Sequence, residues 1–114
     1  MRVGRALAAQ LGRLASATAC ELELPDGRRA TLRVAKPKNT SWGCTHLLRD
    51  RVDLILCAET DDDVTFRVWA LSASDWKAHA REASAGSKNF GRLSTLSRGR
   101  ARSLGTLFAT LRVT

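Results

Sequence analysis

The chain has 114 residues, a formal net charge of +8, 44% hydrophobic residues and 26% charged residues. That length holds one domain with one core, and the balance excludes a disordered or fibrous chain. No apolar run approaches the ~18 residues of a membrane span, and folding itself does not call for the cationic excess, so a polyanionic partner is expected, either nucleic acid or an anionic membrane surface.

In chain order, Val3, Leu7, Leu11 and Leu14 recur at helical spacing and predict an amphipathic helix over 2–14. Polar and apolar residues alternate through 19–24 and 30–36, and Pro25-Asp26-Gly27-Arg28 between them is a turn signal. A hairpin across 19–36 follows. Residues 41–47 suit a short third strand. Val52 to Ala58 is nearly continuous in apolar residues, the mark of a central strand over 52–58 covered on both faces. Glu59 to Asp63 reads as a solvated turn, followed by a strand over 64–71 with Phe66, Val68 and Ala70 on one face.

Ser72 or Ser74 caps a helix over 72–80, with Asp75 well placed in its first turn. Residues 83–89 read as a loop. Leu104, Leu107, Phe108 and Leu111 predict a last helix over 98–113. The fold class is therefore α/β (α+β): one small domain, 1–114, with a mixed sheet, an N-terminal hairpin and flanking helices. Cys20, Cys44 and Cys57 are odd in number and widely spaced, which argues for a reducing, cytoplasmic compartment and against a disulfide framework. With His46 and His79 they lack the paired spacing of a zinc site. Gln10, Gly12 and Arg13 interrupt any apolar signal core, so export is not expected.

The segments ALAAQLG, ELELPDGRRATLRVAKPKNTSW and RVDLILCAETDDDVTFRVWALSASDW together resemble the core of the PD-(D/E)xK nuclease superfamily, the restriction-endonuclease-like fold. The similarity covers roughly residues 3–97. The resemblance implies a Mg²⁺-dependent endonuclease in which strand carboxylates hold the metal and a Lys orients the attacking water. It assigns Glu21, Glu23 and Asp53 as metal ligands and Lys36 and Glu21 as catalytic. The motif is degenerate, because Val34 stands where a carboxylate two residues before Lys36 is needed. The alternative is a non-catalytic interaction module on the same basic fold, such as a phage- or defence-related inhibitor or an accessory subunit, with no cofactor. A ligand supplied by a second subunit would make the active form a homodimer.

The basic residues fall into two groups. Arg28, Arg29, Arg33, Lys36 and Lys38 lie on the hairpin and the loop after it, and Arg81, Lys88, Arg92, Arg98, Arg100, Arg102 and Arg112 in the C-terminal third. Arg98-Gly-Arg-Ala-Arg102 between Ser97 and Ser103 has a phosphate-contacting composition, and cations at a helix start oppose the macrodipole, so a stabilising role there is disfavoured. The expected partner is nucleic acid, DNA first, contacted through phosphates. Trp42, Trp69 and Trp76 are candidates for base stacking, with Trp69 better suited to the core.

Overall fold

The computed structural model describes residues 2–16 and 21–113. The chain folds into three layers. α1 (Arg2–Leu11) covers one face of a six-stranded mixed sheet, and a smaller three-stranded sheet with three short helices covers the other.

α1 forms because its apolar stripe meets the sheet: Leu7, Ala8 and Leu11 pack on Leu22, Leu32, Leu56, Phe66 and Val68. The expected helix over 2–14 stops at Leu11. A Cβ on Gly12 would lie 2.5 Å from the carbonyl oxygen of Glu23, so the backbones touch there and the chain turns into β1 (Arg13–Ser16). Leu14 thus lies on an edge strand and is largely exposed, outside the helical stripe. Gly12→Ala is expected to lose about 1–3 kcal/mol, as overpacking does, because a backbone oxygen cannot step aside. A urea titration reads this as a lower midpoint.

β2 (Glu21–Glu23) and β3 (Arg29–Ala35) are the expected hairpin, with residues 19 and 20 outside the described residues. Gly27 takes φ 90° in its turn, and the Asp26 carboxylate accepts from the Arg28 backbone N–H at 3.0 Å. β4 (Ser41–Thr45) and α2 (His46–Arg49) then cross over, and β5 (Leu54–Thr60) returns parallel to β3. β5 lies between β3 and β6 (Thr65–Ser72) and is buried along nearly its whole length, as its apolar run requires. The side chains of β5 alternate between the two cores: Leu56 and Ala58 face α1, whereas Ile55 and Cys57 face the second layer.

That second layer contains β4, α3 (Ala73–His79), β7 (Arg81–Glu82), β8 (Leu93–Ser97) and α4 (Arg98–Leu104). Ser72 caps α3 by accepting from the Asp75 N–H at 3.0 Å. β4, β8 and β7 pair antiparallel in that order.

The helix expected over 98–113 is half helix and half strand. α4 ends at Gly105, where a Cβ would lie 2.8 Å from the carbonyl oxygens of both Ala101 and Ala70. The chain continues as β9 (Thr106–Arg112), antiparallel to β6 at the edge of the main sheet. Leu107 and Phe108, which a helix would have placed on its buried stripe, are exposed here at 53% and 37%. The open edge of β6 offered a full ladder of backbone hydrogen bonds, which outweighed a weak helical pattern. No helix among the described residues is long and apolar enough to cross a membrane.

Candidate nucleic-acid interface

The residues that the resemblance assigns to a metal site do not converge. Glu21 lies opposite Thr31, and the two flank the same end of β3 as Asp53, whose carboxylate accepts from the Arg29 N–H at 2.9 Å. Lys36 follows the other end of β3, five residues beyond Thr31, or about 16 Å along a strand. Faces differ as well. Val34 packs toward α1 and Ala35 toward the second layer, so Lys36 follows Val34 on the α1 side, and it lines a cavity there with Val3. Leu22 also faces α1, which turns Glu21 and Glu23 to the opposite side.

Each of these acids already has a structural partner. Glu21 is 1% exposed and is held by Arg51 at 2.9 Å and Arg29 at 3.6 Å. Glu23 pairs with Arg13 at 2.9 Å, and Asp53 fixes the register between β3 and β5. A dication needs oxygen donors free of competing cations, and two guanidiniums on Glu21 oppose it. These residues therefore do not fit Mg²⁺, and among the described residues no three His, Cys, Asp or Glu gather as a metal site would require.

The acid closest to Lys36 in register is one that no sequence motif marks. Glu59 lies opposite Ala35 on β5, with no exposed surface. It accepts from Arg102 Nε at 2.9 Å and from Trp69 Nε1 at 2.6 Å, while Arg67 and Arg98 approach to 3.7 and 3.8 Å. Burial opposes its charge, but the hydrogen bonds from Arg102 and Trp69 and the charges of Arg102 and Arg67 prevail, holding the carboxyl below its ordinary range. The solvated turn expected over 59–63 starts two residues late: β5 runs on through Thr60, and Glu59 and Thr60 are buried, because arginines brought from α4 and β6 offset the carboxylate's charge.

The same network redirects the arginine cluster. Arg102 and Arg98, expected on a phosphate-contacting helix start, are turned toward Glu59, and Arg98 also donates to the Lys36 carbonyl. Arg28 pairs with Asp26, Arg29 with Glu21, and Arg33 donates to the Gly43 carbonyl at 2.8 Å. The indoles are likewise engaged. Trp42 Nε1 donates to the Ala58 carbonyl at 2.9 Å and Trp76 Nε1 to Ser94 Oγ at 2.8 Å, so neither is free to stack on a base. Burial pushes the Cys57 thiol up, which makes it a packing residue rather than a nucleophile.

Of the expected phosphate contacts, Lys38, Lys88, Arg92 and Arg100 keep side chains without an ion-pair or hydrogen-bond partner among the described residues. Arg100 and Arg81 lie on an open groove of about 560 Å³, lined also by Thr40, Ser41, His79, Thr95 and Ser97. Strand pairing builds this groove. Ser41 lies opposite Ser97 and Arg81 opposite Thr95, so hydroxyls and a cation share the outer face of the small sheet, while Trp42, Cys44 and Leu96 fill its inner face. Lys36 and Lys38 lie in the adjoining loop, which is fastened to α4 by the Arg98 N–H donating to the Thr40 carbonyl at 3.0 Å. No local pattern marks Arg81 and His79 for this groove, because their role depends on which strand β7 pairs with. No protein-family model matches the chain, and no curated protein or solved structure is significantly similar to it.

Proposed function

We propose that this chain binds nucleic acid through its phosphates, DNA being the first candidate, without cleaving it. The observation that carries the reading is the groove of Arg81 and Arg100, whose guanidiniums have no partner among the described residues and stand beside four hydroxyl side chains. Other cations, Lys38, Lys88 and Arg92 among them, also lack an acid partner, and in this groove two such cations stand together among hydroxyls. Arginine and hydroxyl donors of this kind contact phosphate oxygens and read no base. A mixed sheet with a leading helix and, among the described residues, one parallel pair is in keeping with a restriction-endonuclease-like core without metal ligands.

The test is a salt titration of binding to duplex and single-stranded DNA. Affinity is expected to fall steeply with salt, and Arg81→Ala/Arg100→Ala is expected to reduce the log–log slope by about two, one for each phosphate no longer neutralised. No measurable affinity at low salt would favour the alternative of a protein-interaction module. Turnover with Mg²⁺ or Mn²⁺ that Lys36→Ala abolishes would restore the catalytic reading.

A further inference from the structure

We infer that a cavity at the C-terminal ends of β3 and β5 takes one unstacked nucleobase from a strand held in the groove, which makes single-stranded nucleic acid the preferred ligand. The inference rests on the phosphate-binding reading. The cavity has a volume of about 270 Å³ and is lined by Val3, Val34, Ala35 and Phe66, with Lys36, Asn39, Thr60 and Asp63 among its polar residues. Drug-sized ligands need roughly 300–1,000 Å³, so this space suits a single ring system and excludes a stacked pair. Its position, outside the carboxyl ends of adjacent parallel strands, is where open α/β sheets take up ligands.

The chemistry of the lining fits a base better than a purely apolar guest. Aliphatic side chains from α1 and β3 offer faces to a flat ring. The Asn39 amide and Asp63 carboxylate supply the donor and acceptors that a base edge pairs with, and the Lys36 ammonium supplies a cation for the attached phosphate. Loop 36–40 links the two sites directly, since Lys36 and Asn39 line the cavity while Thr40 lines the groove. Arg98 pins both ends of this loop, to the carbonyls of Lys36 and Thr40, so the path between the sites is preformed. A duplex keeps its bases stacked inside and cannot offer one without the cost of unpairing.

The experiment compares, by fluorescence anisotropy at low salt, a labelled oligothymidine strand with a strand of equal length whose residues are all abasic. The intact protein is expected to bind the base-bearing strand roughly tenfold more tightly. Val34→Phe, which fills the cavity, is expected to abolish that preference and leave affinity for the abasic strand unchanged. Asn39→Ala, at an exposed loop position, should reduce the preference several-fold without risk to the core. Arg81→Ala/Arg100→Ala should weaken both strands alike. Equal affinity of the intact protein for the two strands overturns the base cavity while the phosphate groove stands. Absence of binding to either strand overturns both.

Discussion

Trp42→Ala is expected to remove about 3–5 kcal/mol of stability, as large-to-small truncation of a buried aromatic does. Trp42 is 2% exposed, and it joins the two sheets. Its ring packs with Leu48, Ile55, Trp76 and Leu96, and its indole N–H reaches the Ala58 carbonyl on β5 at 2.9 Å. A domain of this size has about 5–15 kcal/mol in total, so the variant sits near the edge of folding. Denaturant unfolding should show a much lower midpoint at an unchanged slope. Trp42→Phe keeps most of the volume and drops the donor, so a smaller loss of about 1–2 kcal/mol is expected. A Trp42→Ala protein within about 1 kcal/mol of the parent would contradict the docking of the small sheet through this residue.

The second large effect is expected at Arg102. Arg102→Met removes the closest cation from a carboxylate that has no exposed surface, and leaves it with Trp69 at 2.6 Å and the more distant Arg67 and Arg98. Stability should fall by roughly 3 kcal/mol at neutral pH, the low end for breaking a buried pair, since Arg102 itself is partly exposed. Glu59→Gln/Arg102→Met should recover part of that loss, because no charge then remains buried.

The pH dependence has opposite signs in the two proteins. In the parent the folded-state pKa of Glu59 is depressed, so its stabilisation is complete above the ordinary Glu value of about 4.3 and is lost as pH falls through the folded pKa. In Arg102→Met burial dominates and raises that pKa, so the deficit should shrink on acidification as the carboxyl takes up its proton. Thermal melts from about pH 3 to 7 on both proteins distinguish these outcomes. Parallel pH curves would show that Glu59 and Arg102 are not coupled.

Residues close in sequence were read correctly where one local rule sufficed. Pro25 and Gly27 mark the hairpin turn, the apolar run through Ile55 and Cys57 marks the central strand, and Ser72 marks the start of α3. Each depends on turn geometry, side-chain period or capping, which a few adjacent residues encode. The helix ends misread at Gly12 and Gly105 depend instead on backbone contacts with Glu23 and Ala70, which are remote from them along the chain.

The site was decided in the same way. Arg100 and Arg102 are two residues apart on α4, yet one lines the groove and the other is drawn to Glu59, 43 positions earlier. Glu21 and Lys36, joined in sequence by a short hairpin, end on opposite faces and at opposite ends of β3. Composition determined that this chain carries an unmatched positive charge on a small α+β core. Which cations remain unmatched was settled only by strand register and the crossover between β3 and β5, because an ion pair needs two side chains within about 4 Å and only tertiary packing sets that distance.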